Sequence, residues 1–248
     1  MPGTFTVAGK GKNRKLFMRT LVIGDIHGAH KALIQVLERA SFAPSSDRII
    51  FLGDVADGWP EVPEVFEFIL GLDNYGYVMG NHDYWLYEYL KFGDTKPLWT
   101  NQGGQSTLDA YLNYANPAME MRHLEFLESA PYYIEENGNL FVHGGFATAW
   151  LIENQDPIEL MWDRDLWWHA KLAHAKEEVV SDKYEKIFIG HTTTSRERKD
   201  LTPVKASNVW NLDQGVGWEG KLTCMDIETE EYWQSDIVSE LYPNIKGR

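Results

Sequence analysis

The sequence predicts an α/β fold in which a buried β-sheet is covered by helices, and two observations support this. Short apolar runs alternate with helical stripes in the first third of the chain, which is the pattern of consecutive β-α-β units. Each apolar run also ends at a glycine that is followed by Asp, His or Asn. Because the loops at the carboxyl ends of neighbouring strands converge on one crevice, the second observation predicts where a functional site lies.

Three strands and two helices account for the first third of the chain. The strands are predicted at residues 20–23, 48–52 and 76–79. The first helical stripe consists of Leu33, Val36, Leu37 and Ala40, and the second consists of Val62, Val65, Phe66 and Ile69. Both stripes have the i, i+3, i+4, i+7 spacing that places apolar side chains on one face of a helix.

Further elements are predicted along the rest of the chain. Residues 119–130 are expected to be helical, residues 140–142 and 187–189 to be strands, and the chain from residue 204 to be rich in β structure, with a tight loop at 211–218 and a strand at 222–225. The polar stretch 93–117 is expected to pack over the site or to cap the domain. Residues 1–18 are predicted to form a basic flexible arm, and residues 19–248 a single domain.

Composition excludes several classes of protein. The chain has 248 residues with 23 Lys and Arg against 37 Asp and Glu, a net charge of −14, which disfavours long nucleic acid and anionic lipid as partners. The single cysteine, Cys224, has no internal partner for a disulfide, and this fits a reducing, cytoplasmic location. No apolar run approaches the roughly 18 residues that a membrane span requires.

The polar clusters after the strands contain the side chains that bind transition metals. The candidate ligands supply three oxygens and three imidazoles: Asp25, His27, Asp54, Asn81, His143 and His191. This mixture suits Mn, Fe or Zn, with Mn favoured, and Asp54 is the candidate to bridge two ions. Two cations about 3.5–4 Å apart would acidify a bridging water, so that a hydroxide could attack phosphorus near neutral pH.

Attack on phosphorus also requires a proton for the leaving oxygen. His82, next to the candidate ligand Asn81, could supply it, and Asp57 could hold that imidazole protonated and oriented. An arginine is expected to bind the non-bridging phosphate oxygens, because its planar fork meets them two at a time. In contrast, the aromatic segment around Trp162, Trp167 and Trp168 is predicted to pack rather than to stack a substrate.

The ordered motifs resemble a known family. The segments GDIHG (24–28), GDVADG (53–58), GNHD (80–83), HGG (143–145) and GHT (190–192) are similar to those of the phosphoprotein phosphatase branch of the calcineurin-like metallophosphoesterases. Residues 162–164 (WDR) and 211–222 (NLDQGVGWEGKL) resemble further segments of its bacterial and phage-lambda-like members. The resemblance spans about residues 19–233.

The resemblance implies a central β-sandwich flanked by helices, rather than one doubly wound sheet. It also implies that Asp25 and His27 bind one metal, that Asp54 bridges, and that Asn81, His143 and His191 bind the other. His82 with Asp57 becomes the acid pair. Arg164 becomes a phosphate clamp, and Asn81 is expected to contact the substrate as well.

The chain departs from the family pattern at two positions. The second motif usually continues Asp-Arg-Gly, whereas Gly58 follows Asp57 here, so one phosphate-binding arginine is missing. We hypothesise that Arg196 or Arg198 replaces it. Asp83 stands where the family often has Glu.

These observations predict a metal-dependent phosphatase that hydrolyses phosphomonoesters, either phosphoprotein Ser/Thr or small phosphate esters. The alternative is a dinucleoside polyphosphate hydrolase of the diadenosine tetraphosphate type, because related bacterial members have similar motifs and the tryptophans could stack a base. A non-catalytic phosphate-binding scaffold is disfavoured, because every candidate ligand and both members of the acid pair are present.

Overall fold

The structure is a computed structural model and describes residues 19–248, so the predicted basic arm lies outside the described residues. Strands and helices alternate in the first part of the chain. They are β1 (Thr20–Ile23), α1 (His30–Arg39), β2 (Arg48–Phe51), α2 (Val62–Leu70), β3 (Tyr75–Tyr77) and α3 (Asn81–Phe92).

A helical region and a second set of strands follow. The helices are α4 (Pro97–Trp99), a π-helical turn at Thr100–Gly104, α5 (Gln105–Tyr114) and α6 (Pro117–Ser129). The next elements are β4 (Tyr133–Glu136), β5 (Asn139–Val142), a 3₁₀ turn at Ile152–Asn154, α7 (Pro157–Trp162), α8 (Asp165–His174) and β6 (Lys186–Ile189). The last are β7 (Val204–Ala206), β8 (Val209–Asn211), β9 (Asp213–Gln214), β10 (Lys221–Asp226), β11 (Tyr232–Gln234) and α9 (Val238–Leu241).

The strands form two sheets. The first has the order β11-β10-β1-β2-β3, with β9 paired to β10, and its β1, β2 and β3 run parallel. The second has the order β4-β5-β6-β8-β7, and its β5, β6 and β8 run parallel. The carboxyl ends of parallel strands therefore carry the site loops in both sheets.

The strands alternate their side chains between two apolar layers, as the period of two requires. In β1, Leu21 and Ile23 pack into the helix-covered core, whereas Val22 packs into the layer between the sheets. In that layer Phe141 of β5 stacks on Phe188 of β6, with ring centroids 5.1 Å apart. Because both faces of the central strands are buried, their sequences are continuously apolar.

The predicted mixed α/β class is confirmed, and the two sheets match the sandwich that the resemblance implied. A single doubly wound sheet is excluded, because β4 to β8 form a separate sheet while β9, β10 and β11 join the first one. The 93–117 stretch is mostly helical, and the expected loop at 211–218 contains β9, which pairs with β10 at Asp213 and Gln214. Within the described residues, no helix combines the length and apolarity that crossing a bilayer demands.

Candidate active site

The candidate ligands come together at the carboxyl edge that the two sheets share. Three of the loops follow β1, β2 and β3 of the first sheet, and they carry Asp25, His27, Asp54 and Asn81. Loops after β5 and β6 of the second sheet carry His143 and His191. All six are buried except His191, which is half-buried.

Several of these residues adopt a left-handed backbone, which is uncommon for residues with a side chain. The φ angles are 52° at His27, 50° at Asp54, 72° at Asp57 and 62° at His191. Such conformations cost free energy, and they persist where the surrounding structure fixes them, typically at functional sites. The sharp turns point the side chains back toward the common edge.

Two glycines let the backbone approach the buried carboxylates closely. A Cβ at Gly80 would lie 2.3 Å from Oδ1 of Asp54, and a Cβ at Gly190 would lie 2.0 Å from Oδ1 of Asp25. In the structure, the amide of His82 donates to Asp54 Oδ1 at 2.9 Å, and the amide of His191 donates to Asp25 Oδ1 at 3.1 Å. The glycines therefore make room for the bonds that orient the carboxylates.

The side chains form two groups that could each hold a metal ion. Ligand atoms of Asp25, His27 and Asp54 lie within 4.8 Å of one another, and so do those of Asp54, His143 and His191. Asp54 belongs to both groups, as a bridging carboxylate must. Asn81 adjoins the second group, with its Oδ1 3.1 Å from His143 Nε2.

The orientation of two imidazoles fits a metal site. Nδ1 of His27 donates to the Ala56 carbonyl at 3.0 Å, and Nδ1 of His143 donates to the Leu52 carbonyl at 2.7 Å. Each bond leaves Nε2 facing the carboxylates of the cluster. Histidines that bind metals are commonly fixed by such a bond from the other ring nitrogen.

Electrostatics also fit a cation at this place. Burial alone would lower the pKa of His143, but the carboxylates of Asp54 and Asp25 outweigh it and raise that pKa to about 10. Burial lowers the pKa of His191 and His27, so these two rings stay neutral, as ligands must. A cluster whose negative charge holds a proton on a buried imidazole is one that a divalent cation would stabilise.

The two residues that were predicted to act together as the acid lie next to each other. Nδ1 of His82 lies 2.5 Å from Oδ2 of Asp57, and both side chains are buried beside the cluster. The ring of His82 also contacts the ring of His27, with centroids 5.1 Å apart. His82 is thus placed to move a proton at the edge of the candidate metal site.

The 93–117 stretch packs against this pair. Of its two expected roles, packing over the site and capping the domain, this is the first. The indole of Trp99 donates to Asp57 Oδ2 at 2.8 Å, and the hydroxyl of Thr107 donates to Asp57 Oδ1 at 2.7 Å. The amide of Asp57 donates back to the Thr107 hydroxyl at 2.9 Å. Asp57 is therefore fully hydrogen-bonded without water.

Asp83 joins two of the site loops. Its Oδ1 accepts from the amides of Val55 and Ala56, and its Oδ2 accepts from the Gly80 amide and the Tyr77 hydroxyl. The shorter side chain therefore still connects the loop after β2 with the start of α3. The longer side chain of a Glu is not required for these contacts.

Two guanidinium groups reach the cluster from different elements. Nε of Arg164 donates to His191 Nε2 at 3.1 Å, and Nη1 of Arg248 donates to His27 Nε2 at 3.0 Å. Of the two arginines hypothesised to replace the missing one, Arg198 is exposed and pairs with Asp200. Arg196 instead lines a neighbouring cavity of about 600 Å³.

Sequence reasoning missed four residues of the site: Trp99, Thr107, Asp213 and Arg248. Asp213, the first residue of β9, is buried. Burial raises the pKa of Asp25, and the nearby charge of Asp213 raises that pKa further. The segment 211–222 was part of the resemblance, so Asp213 had a signal in the sequence. The other three had none, because they meet the site only through tertiary contacts.

The aromatic segment is only partly packed as predicted. Trp167 is fully buried, and Trp162 packs on the rings of Trp85 and His191 at the rim of the site. Trp168 is 60% exposed, and Lys171 covers one face of its ring. The prediction of packing is therefore wrong for Trp168, which α8 turns away from the core.

Comparisons with known proteins agree with this geometry. A symmetrical bis(5'-nucleosyl)-tetraphosphatase from Neisseria gonorrhoeae is 24% identical, covering 88% of this chain and 95% of that protein. The protein of the same name from Coxiella burnetii is 32% identical over 54% of this chain and 44% of its own length.

Solved structures share the fold. One that its name assigns provisionally to the diadenosine tetraphosphatases has a TM-score of 0.64 and 17% identity, covering 87% of this chain and 92% of its own. A protein serine/threonine phosphatase from Saccharomyces cerevisiae has a TM-score of 0.59 and 15% identity, covering 95% and 84%. At these identities the likeness concerns the fold alone.

The family described as calcineurin-like phosphoesterase matches residues 18–218. That range contains all six candidate ligands, the acid pair and the strands that place them. The match covers most of the chain, and the relative that covers 88% of it is named a symmetrical bis(5'-nucleosyl)-tetraphosphatase. This chain therefore belongs to the calcineurin-like phosphoesterase family and is a metal-dependent phosphoester hydrolase.

Proposed function

We propose that this chain hydrolyses dinucleoside polyphosphates of the diadenosine tetraphosphate class. The observation that carries the proposal is the cavity of about 600 Å³ beside the candidate metal cluster. Its wall includes the indole of Trp218 and three cationic side chains, Arg196, Lys246 and Arg248. Arg248 also touches His27, so the cavity adjoins the cluster.

The chemistry of this wall matches a long, anionic and aromatic substrate. Trp218 is 39% exposed, and a purine could stack on such a face. The three cations would neutralise part of a polyphosphate chain. The names of the curated relatives support the same substrate class. These points favour dinucleoside polyphosphate hydrolysis, the alternative that the sequence left open, and they disfavour phosphomonoester hydrolysis.

The site residues have the following proposed roles. Asp25, His27 and Asp54 would hold one divalent ion, and Asp54, Asn81, His143 and His191 the other, with Mn²⁺ proposed because oxygen and imidazole ligands suit it. Two bound cations supply an activated water and neutralise phosphoryl charge. Arg164 would bind phosphate oxygens beside His191. His82, oriented by Asp57, would protonate the leaving phosphate oxygen.

Symmetric cleavage of diadenosine tetraphosphate consumes one water and gives two molecules of ADP. The proposed location is cytoplasmic, and the single, buried Cys224 supports a reducing compartment.

Steady-state kinetics of the Mn²⁺-loaded protein test the substrate. We expect kcat/KM for diadenosine tetraphosphate to exceed that for a phosphoserine peptide and for p-nitrophenyl phosphate by orders of magnitude, with ADP as the nucleotide product. A preference for the phosphopeptide would contradict the proposal. It would favour hydrolysis of phosphomonoesters instead.

A substitution tests the acid. His82→Ala should lower kcat by about 10²–10⁴-fold, because that is the usual contribution of a positioned acid or base. His174→Ala is the matched control, since His174 is exposed at the end of α8. An undiminished kcat in His82→Ala would exclude His82 as the acid.

A further inference from the structure

Residues 238–248 fold back onto the site and carry a charged side chain into it. Tyr242 is buried and stacks on Trp59, with ring centroids 5.0 Å apart, and its hydroxyl donates to Glu61. The amide of Lys31 donates to the same hydroxyl at 2.9 Å. This segment is therefore held by α1 and by the loop that follows β2.

The end of the segment is fixed as well. The amide of Arg248 donates to the Gly217 carbonyl at 2.7 Å. That bond sets the direction in which the Arg248 side chain leaves the backbone.

Three glycines line the path of the Arg248 stem. A Cβ at Gly103 would lie 2.7 Å from Cγ of Arg248, and a Cβ at Gly217 would lie 2.8 Å from its Cδ. A Cβ at Gly58 would lie 3.4 Å from the same Cγ. These glycines come from three separate segments, and a side chain at Gly103 or Gly217 would displace the stem. The path is thus shaped for this arginine.

The guanidinium of Arg248 has an N–H group that makes no hydrogen bond within the described residues. Nη1 donates to His27 Nε2, and the group lies 4.8 Å from the centroid of the Trp218 ring. Its Nε is buried and has no hydrogen-bond partner among the described residues. Because an arginine in a protein does not lose its charge, a buried and unpartnered N–H beside the site favours an anionic oxygen.

The stem of Arg248 also passes close to Gly58, where the second motif lacks its arginine. The guanidinium expected there from the resemblance is absent, and the stem of Arg248 passes the position where a Gly58 side chain would begin. If His27 Nε2 held a divalent cation, it could no longer accept from Arg248, and the Nη1 donor of Arg248 would be available as well. A guanidinium with two free N–H groups can bind two phosphate oxygens at once.

We propose that Arg248 binds a phosphate group of the substrate and supplies the guanidinium that the second motif lacks, a role that neither Arg196 nor Arg198 fills. The proposal needs only phosphoester hydrolysis at this site. It holds for a dinucleotide or for a phosphomonoester substrate, so its failure is distinguishable from failure of the proposed function.

Calorimetric titration of the Mn²⁺-saturated 248-residue protein with inorganic phosphate tests it. Arg248→Ala should weaken phosphate binding by about 10- to 100-fold, the loss expected for charge-assisted hydrogen bonds. Arg248→Lys keeps a charge without the fork and should fall between the two proteins. Arg198→Ala, which removes an exposed ion pair, is the control and should bind phosphate as the unchanged protein does.

Two further measurements separate phosphate binding from a structural effect. Manganese content should stay the same in Arg248→Ala, and KM for p-nitrophenyl phosphate should rise more than kcat falls. Phosphate affinity within about twofold of the unchanged protein would overturn the proposal. So would loss of manganese from Arg248→Ala at saturating Mn²⁺, or a loss of phosphate affinity found in Arg196→Ala instead. If Arg248→Ala fails to fold, the Arg248→Lys titration decides.

Discussion

At the scale of single residues, the site depends on backbone that most side chains disfavour. His27, Asp54, Asp57 and His191 have left-handed φ angles, and glycines stand where the chain must pass the carboxylates. The free-energy cost of these turns is offset by the packed sheets beneath them. The positions of these site residues therefore depend on glycines and apolar strands that take no part in the reaction themselves.

Gly190 offers a test of this dependence. In Gly190→Ala the new methyl would collide with Asp25 Oδ1, so we expect Asp25 to be displaced, one metal ion per chain to be lost, and activity to fall by about 10–100-fold. Metal content by mass spectrometry and steady-state kinetics check this. Gly71→Ala is the control, because its Cβ has only ordinary contacts and its φ of −78° suits alanine. Two metals and full activity in Gly190→Ala would contradict the argument.

A residue remote from the site should control part of the acid stability. His123 is buried between the Tyr111 hydroxyl and Glu67, and burial lowers its pKa. Since its unfolded pKa is about 6.5, the unfolded chain binds more protons just below that value. The free energy of unfolding should therefore fall as pH drops below about 6.5.

Chemical denaturation of His123→Gln between pH 7.5 and 5.5 measures this contribution. The variant should lose less stability over that range than the unchanged protein, whereas His174→Gln at an exposed position should not differ from it. An equal loss in His123→Gln and in the unchanged protein would show that His123 does not titrate with unfolding.

At the scale of elements, the helical stretch from α4 to α5 acts as a support for the acid pair. Trp99 and Thr107 hold both oxygens of Asp57, which in turn holds His82. Neither residue reaches the candidate ligands in these hydrogen bonds. In the proposed mechanism they would therefore position the acid pair without contacting the substrate.

Trp99→Phe and Thr107→Val should each lower kcat by about tenfold while leaving KM nearly unchanged, because losing an outer hydrogen bond misorients the acid and not the substrate. A shift in the pH profile of kcat should accompany the loss. Thr100→Val is the matched control, since its hydroxyl donates only to Pro97 within its own turn. An unchanged kcat and pH profile in both variants would remove the stretch from the mechanism.

At the scale of the whole molecule, loops from both sheets form the site. The first sheet contributes the loops after β1, β2 and β3, and the second contributes those after β5, β6 and β8. The apolar layer that contains Phe141 and Phe188 keeps the two sets of loops in register. Metal binding at this junction should therefore stabilise the fold as a unit.

Removal of metal tests that coupling. At a free Mn²⁺ concentration a hundredfold above Kd, each of the two proposed ions adds about 2.7 kcal/mol to the free energy of unfolding. For a chain of this size, chelation should then lower Tm by about 5–10 °C for each ion removed and abolish hydrolysis, and Mn²⁺ should restore both. Scanning calorimetry and kinetics measure the two effects. Hydrolysis that persists after the metal content has fallen to zero would exclude a metal-dependent mechanism.

Much of the fold and the cluster could be predicted because the signals are local. A strand that ends at glycine and then Asp or His is visible in a few residues, and parallel strands bring such ends together. The pairing of His82 with Asp57 followed from the same rule. The proposed role of Arg248 could not be predicted from the sequence, because Arg248 is near His27 only in space, whereas Arg196 and Arg198 lie close to His191 along the chain.

The sequence by itself determined the class of fold, and it predicted the six candidate ligands and the proposed acid pair, since hydrophobic periodicity and strand-end chemistry are properties of short segments. Only the tertiary structure decided that Trp99, Thr107 and Arg248 belong to the site, whereas Asp213 lies in a segment that already carried the resemblance. Their contacts join residues up to 221 positions apart, and such contacts arise from the packing of distant segments, which no local pattern encodes.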